Sequence, residues 1–162
     1  MPDLDEEFHA YAAARLERWR RGAYLLCGDW HLADDLVSEA VIRLHRHWAK
    51  VRRADNVDAY AQTILTRCWL TERGRGWRRR ERSTAELRHP AYQPPDERIV
   101  DRLPLAELLR ALGPRQRAVL ILRFYLDHSV EETAEILGIT TGTVKSQCAR
   151  AIEQLRSDRV TP

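Results

Sequence analysis

The sequence predicts an all-α protein made of two small helical domains joined by a flexible linker. Apolar residues recur at three- and four-residue steps through most of the chain, which is the period of an amphipathic helix. No stretch shows the two-residue alternation of a strand, and one proline-rich stretch interrupts the helical period. The expected domains are residues 1–82 and 105–159, with a linker at 83–104.

Three helices are expected in the first domain. The first ends where Gly28 and Asp29 break its apolar stripe, the second begins near His31, and the third begins at Val57 after a turn at 52–56. The three predicted stripes are Phe8, Tyr11, Ala12, Leu16, Trp19, Ala23 and Leu26, then Leu32, Leu36, Val37, Ala40, Val41, Leu44 and Trp48, then Val57, Ala61, Ile64, Leu65 and Cys68.

The predicted linker contains Pro90, Pro94, Pro95 and Pro104 and few large apolar residues. Proline lacks the N–H group that a regular element needs, so this stretch is expected to remain irregular. Beyond it, short helices are predicted at 105–112 and 116–126, the latter with Val119, Leu120, Leu122 and Phe124 as its apolar residues.

Residues 129–156 have the pattern of a helix-turn-helix. Ser129 is a suitable N-cap with Glu132 as its capping-box partner. Ala134 is small where two helices cross, Gly138 can adopt the left-handed conformation of the turn, and Val144 can fill the space between the helices. The pattern therefore favours DNA binding over the alternative of an ordinary helical hairpin with a solvated face.

The second helix of this motif, capped by Thr140 or Thr141, is expected to turn one face inward and the other towards DNA. The inner face is predicted to be Val144, Cys148, Ala151, Ile152 and Leu155. The outer face and first turn supply hydroxyl, amide and cationic groups suited to a major groove, on Thr141, Thr143, Lys145, Ser146, Gln147 and Arg150.

Charge is distributed unevenly along the chain, although the net charge is only +3. Residues 1–40 contain nine acidic and four basic side chains, whereas residues 67–82 contain seven arginines and two glutamates. The arginine-rich window is dense enough to attract a phosphate backbone. An acidic first segment and a basic middle segment indicate two different partners.

Other classes of site have little support in the sequence. Cys27, Cys68 and Cys148 are far apart and include no C-x-x-C pair, so neither a disulfide framework nor a zinc site is indicated. No signal pattern or membrane-spanning apolar run is present, which predicts a soluble, cytoplasmic protein without a membrane partner. We expect no cofactor.

Four segments together resemble bacterial extracytoplasmic-function sigma factors, most closely their actinobacterial SigE-like branch. The resemblance covers nearly the whole chain, and its weight comes from the order of the motifs. They are Ala33-Asp-Asp-Leu-Val-Ser-Glu-Ala40, Asp58-Ala-Tyr-Ala-Gln-Thr-Ile-Leu65 with the arginine-rich stretch behind it, Leu112-Gly-Pro-Arg-Gln-Arg-Ala-Val-Leu-Ile-Leu-Arg-Phe-Tyr125, and Gly142-Thr-Val-Lys-Ser-Gln147.

The resemblance implies that the first domain is sigma region 2. An outward surface of the second helix would dock on the clamp helices of core RNA polymerase, although an acidic first turn could instead serve the helix dipole. The residues implied in polymerase binding are Asp34, Asp35, Leu36, Glu39 and Arg43.

The same resemblance implies that region 2 captures a flipped base of the minus-10 promoter element with the loop at 52–58. Asn56 is the first choice for hydrogen bonding that base, followed by Arg53 and Asp55. The next helix would lie along the opened promoter, although Trp69 could equally be a core residue. Its implied contacts are Tyr60, Thr63, Arg67, Trp69 and Arg73.

The second domain resembles sigma region 4, which implies that its helix-turn-helix reads the minus-35 element while Arg115 and Arg117 contact phosphates. The implied partners are core polymerase through its clamp helices and flap, promoter DNA, and an anti-sigma factor. The expected function is to direct core polymerase to specific promoters and to help open them.

Two rival functions remain open from the residues alone. A helix-turn-helix operator-binding regulator would act without polymerase and normally as a symmetric dimer, but this reading leaves the first domain unexplained. An enzyme would need a site, and the best metal-like pair is His31 with Asp35, for which no convincing third ligand exists. We therefore expect a protein that is not an enzyme.

Overall fold

The computed structural model of the chain describes residues 2–82 and 104–160, with side chains at 2–71 and 106–158. The chain divides into two compact units, Met1–Pro94 and Pro95–Pro162. Every regular element in the described residues is helical, so the predicted all-α fold class is confirmed. Residues 83–103 of the predicted linker lie outside the described residues.

The N-terminal unit consists of helices α1 (Leu4–Cys27), α2 (Trp30–Arg46), α3 (Trp48–Val51) and α4 (Val57–Arg82). The predicted break between the first two is confirmed. Gly28 has a left-handed φ of 73°, and the side chain of Asp29 accepts hydrogen bonds from the first backbone N–H groups of α2.

Helices α1 and α2 pack antiparallel. Arg20, late in α1, contacts Asp34 near the start of α2, whereas Asp5 contacts His45 at the other end. The core between them is largely the predicted set of apolar residues, with Tyr24 stacked on Trp30 at 4.0 Å between ring centroids. Leu16 departs from the prediction, because 46% of it is exposed.

The C-terminal unit contains α5 (Pro104–Arg110), α6 (Pro114–Leu120), a π-helical turn (Ile121–Tyr125), α7 (Val130–Leu137) and α8 (Thr141–Val160). Two helices begin with proline, at 104 and 114, one and two residues earlier than predicted. A proline costs nothing in the first turn of a helix, because its missing N–H group would have no partner there.

The predicted helix at 116–126 is interrupted by the π-helical turn. The N–H of Leu126 donates to the carbonyl of Ile121 at 2.9 Å, five residues back. The extra residue in this wider turn rotates the side chains that follow it. Leu122 is buried as predicted, but Phe124 is 60% exposed, contrary to its placement in the apolar stripe.

Candidate nucleic-acid interface

The predicted capping box at the start of α7 is confirmed. The Ser129 hydroxyl accepts a hydrogen bond from the N–H of Glu132 at 3.0 Å, and the Glu132 carboxylate accepts one from the N–H of Ser129 at 3.4 Å. The carboxylate also lies 3.1 Å from the His128 ring. The hydrogen bond with His128, followed by those with Ser129, lowers the pKa of Glu132 below its ordinary value.

The crossing of α7 and α8 also has the predicted geometry. Val144 is fully buried and belongs to one apolar cluster with Ala134 and Val119. Gly138 adopts a left-handed φ of 66° at the end of α7. Thr140 is the cap of α8, since its hydroxyl accepts the N–H of Thr143 at 3.1 Å, which decides between the two predicted threonines.

The outer face of α8 presents polar and cationic side chains. Thr141, Lys145, Ser146 and Arg150 are exposed, and Thr143 and Gln147 are half-buried. On the inner side Ala151 is fully buried, but Ile152, predicted to be inward, is 36% exposed. Burial raises the pKa of the Cys148 thiol, which fits its predicted packing role.

The two arginines of α6 differ in their surroundings. Arg115 is exposed in the first turn. Arg117 is half-buried, and its guanidinium donates to the carbonyl of Leu112 at 3.1 Å and to that of Arg110 at 3.5 Å. Arg117 therefore caps the end of α5, a structural role that the sequence did not reveal.

The loop between α3 and α4 borders an open pocket of about 470 Å³. The Asn56 side chain accepts a hydrogen bond from the N–H of Ala59 at 3.0 Å and so caps α4. Asp55 and Arg53 are exposed beside it. The pocket is lined by Glu7, Tyr11, Arg15, Trp48, Arg52, Asp55, Asn56, Val57 and Asp58.

Helix α1 contacts both ends of this loop. At one end the Arg52 guanidinium pairs with Glu7 at 2.7 Å. At the other, the Tyr11 hydroxyl donates to the Asp58 carboxylate at 2.7 Å and Arg15 pairs with the same oxygen at 2.6 Å. Burial, and then the Asp58 hydrogen bond, raises the pKa of Tyr11. These α1 residues lie more than 40 residues before the loop residues that they contact, so no local sequence signal identified them.

The predicted minus-10 residues of α4 differ in their exposure. Tyr60 and Thr63 are half-buried and Arg67 is exposed, whereas the side chain of Arg73 lies outside the described residues. Trp69 is only 4% exposed, so the structure places it in the core of the N-terminal unit, the second of the two predicted placements. Its position at helical spacing from buried Leu65 places it on the inner face of α4.

The predicted polymerase-binding surface of α2 needs one correction. Leu36 is 2% exposed, so the prediction that it points outward is wrong; it lies on the same stripe as Ala33 and Ala40, which packs on the core. The four polar members are accessible to different degrees: Asp35 is exposed, Asp34 pairs with Arg20 at 2.5 Å, and Glu39 and Arg43 pair with each other.

Among the described residues, no three His, Cys, Asp or Glu side chains are grouped as metal ligands would be. No described helix combines the length and apolar character needed to cross a membrane. Cys68 is buried, and that burial raises the pKa of its thiol.

Comparison with protein families gives two matches, in the order expected. Residues 8–81 match sigma-70 region 2, and residues 102–155 match sigma-70 region 4. The RNA polymerase sigma-E factor of Streptomyces coelicolor is 35% identical over 95% of this chain and 86% of its own length. The ECF RNA polymerase sigma factor SigL of Mycobacterium tuberculosis is 33% identical over 85% of this chain and 80% of its own.

Solved structures of sigma factors have a similar fold. The sigma factor RpoE of Bartonella quintana, crystallised with the anti-sigma factor NepR, matches with a TM-score of 0.78 and 25% identity over 96% of this chain and 99% of that one. CnrH, in complex with the cytosolic domain of CnrY, shares the fold with a TM-score of 0.64 at 17% identity. The chain therefore belongs to the extracytoplasmic-function sigma factors, the sigma-70 proteins that direct RNA polymerase to specific promoters.

Proposed function

We propose that this sigma factor brings core polymerase to two-element promoters by reading the minus-35 element with the outer face of α8. The carrying observation is the contrast between the two faces of that helix. Val144 and Ala151 are fully buried, whereas Lys145, Ser146 and Arg150 are exposed. A helix whose inner face is packed in the domain core and whose outer face is polar is the arrangement that enters a major groove.

Within this interface, side-chain chemistry suggests separate roles. Gln147 and Arg150 can make paired hydrogen bonds to base edges, so they are the proposed sequence readers. Lys145 and the exposed Arg115 are the proposed phosphate contacts, which position the domain without selecting bases. Arg117 is the weaker candidate for a phosphate contact, because such a contact competes with the carbonyls that its guanidinium already serves.

The minus-10 element is proposed to open at the loop 52–58. The adjoining pocket of about 470 Å³ has the size of a small-ligand site, and Asn56 and Asp55 lie in its wall. The helix cap occupies the Oδ1 atom of Asn56 and holds its side chain in that wall, where Asn56 is the first proposed contact to a flipped base. Arg67, which is exposed on α4, is the proposed contact to the opened strand.

Polymerase contacts are proposed in both units. In the N-terminal unit, Asp35 with the Glu39–Arg43 pair is proposed to meet the clamp helices. In the C-terminal unit, an apolar groove of about 350 Å³, with exposed Phe124 at its edge, is proposed to receive the polymerase flap. The groove is lined by Leu109, Leu120, Ile121, Phe124, Tyr125, Ile152 and Leu155.

An anti-sigma factor is a further proposed partner, because the RpoE structure at 25% identity is that of a complex with one. The predicted cytoplasmic location belongs to the same proposal, since core polymerase and the chromosome occupy that compartment in bacteria. Polymerase performs the chemistry, and this chain is proposed to catalyse no reaction.

In vitro transcription with purified core polymerase over a genomic promoter library tests the proposal. We expect new start sites that share a two-block upstream sequence. Lys145→Ala should weaken binding of all these promoters. It should also reduce the slope of log binding constant against log salt concentration by about one. Arg156→Ala removes an exposed charge three turns further along α8 and is the matched control. Tight, sequence-specific binding by the chain alone, with no new starts, would favour the operator-binding regulator.

A further inference from the structure

The loop 52–58 is fastened at both ends to the same helix, α1. Arg52 opens the loop and pairs with Glu7, while Asp58 closes it and accepts from Tyr11 and Arg15. Two charged anchors, one at each end, restrict where the residues between them can lie. Those residues include the exposed Arg53 and Asp55 and the capping residue Asn56.

The anchoring side chains are themselves held in place. The Arg15 guanidinium lies 3.9 Å from the centre of the Tyr11 ring, and it also donates to the Tyr11 carbonyl at 3.2 Å. The Tyr11 ring packs against Trp48, with 4.9 Å between the ring centroids. Asp58 thus meets a preformed pair of donors, which reduces the entropy lost when the loop is ordered.

We infer that Glu7, Tyr11 and Arg15 of α1 are positioning residues for minus-10 recognition, because they fix both ends of the loop that carries Arg53, Asp55 and Asn56. The inference rests on the proposed function of the loop. All three α1 side chains also line the pocket that the loop borders, so α1 and Asn56 contribute to the same pocket wall. Catalysis stays with polymerase, and these residues act through the geometry of the loop.

Conservative variants separate positioning from folding. Tyr11→Phe keeps the ring that packs on Trp48 and removes only the hydroxyl that reaches Asp58. Glu7→Gln removes the charge that faces Arg52. Glu17→Gln makes the same change ten residues further along α1, where Glu17 pairs with Arg21 on the same helix, and serves as the matched control.

The primary measurement is open-complex formation by the full chain with core polymerase. It is monitored by the permanganate reactivity of thymines in the minus-10 element. We expect Tyr11→Phe and Glu7→Gln each to lower the open-complex equilibrium constant about two- to fivefold, which is the range expected for an exposed charged contact. Affinity for core should stay within about twofold. Base preference in the minus-10 element, read by sequencing transcripts from a randomised library, should broaden.

A double-mutant cycle identifies the contact. If Tyr11 acts through Asp58, the pair Tyr11→Phe with Asp58→Asn should open promoters no worse than Asp58→Asn alone. Additive losses, or an unchanged base preference with a parallel loss of thermal stability and core affinity, would reduce these residues to a folding role and overturn the inference. If the unaltered chain opens no promoter, the proposed function fails first, so the two failures are distinguishable.

Discussion

Replacing Gly138 by alanine should destabilise the C-terminal unit through backbone strain alone. Gly138 has φ 66° at the end of α7, a conformation in which an L-residue pays about 1–2 kcal/mol. A Cβ atom built there meets nothing within 4 Å, so no steric clash adds to this cost. Because alanine also restricts the unfolded chain, which offsets part of the strain, we expect a net loss of about 1 kcal/mol in the free energy of unfolding.

Gly142→Ala is the same chemical change with the opposite expected sign. Gly142 lies in the first turn of α8 without a left-handed φ, and a Cβ atom there would have its nearest contact at 3.9 Å, from the Thr140 hydroxyl. Alanine should therefore stabilise the unit by about 0.5 kcal/mol, since it lowers the entropy of the unfolded chain. Gly138→Asn should cost less than Gly138→Ala, because asparagine tolerates the left-handed region.

Urea unfolding followed by two probes measures this prediction in the full chain. All five tryptophans precede residue 78, so their fluorescence reports on the N-terminal unit, whereas far-ultraviolet circular dichroism reports on helices of both units. We expect the glycine variants to move only the transition seen by circular dichroism. Equal effects of Gly138→Ala and Gly142→Ala, or stabilisation by both, would refute the strain argument.

Three further predictions concern caps and core. Ser129→Ala should cost about 1 kcal/mol of stability, because it removes the acceptor for the N–H of Glu132, and calorimetry of the full chain would show this. Because the pKa of Glu132 is lowered in the folded chain, its carboxylate contributes to the free energy of unfolding above the ordinary value of 4.5, and this contribution is lost as pH falls through the folded-state value. Glu132→Gln should therefore flatten that part of the profile of unfolding free energy against pH. Trp69→Ala should cost about 3–5 kcal/mol in the N-terminal unit, and a loss below about 1 kcal/mol would contradict its placement in the core.

The helix-turn-helix was predictable to the level of single residues because its determinants are local. A cap and its partner lie three residues apart, and the small, left-handed and plugging positions follow at fixed helical spacings. Each interaction is dictated by the backbone period, which the sequence displays directly. The cap of α8 remained ambiguous between adjacent threonines, since both positions precede the apolar stripe and only the hydrogen bond to Thr143 distinguishes them.

Burial near the ends of a stripe was harder to predict. Leu36 was assigned both to the apolar stripe and to the outward surface, and packing against the neighbouring helix places it in the core. Phe124 was predicted to lie in the apolar stripe but is exposed, because a π-helical turn inserts one residue into the helical period. Periodicity predicted the burial of Leu36 but not the exposure of Phe124, because it assumes a regular helix throughout.

By itself the sequence determined the helical class, the order of the motifs and the chemistry of the outer face of α8, because composition and local spacing encode these properties. Only the tertiary structure decided that α1 fastens the loop 52–58, that Arg117 caps α5 and that Trp69 is core. The physical reason is distance along the chain: Arg15 and Asp58 are 43 residues apart in sequence, yet their charges meet at 2.6 Å. Such pairs exist only once packing has brought the helices together.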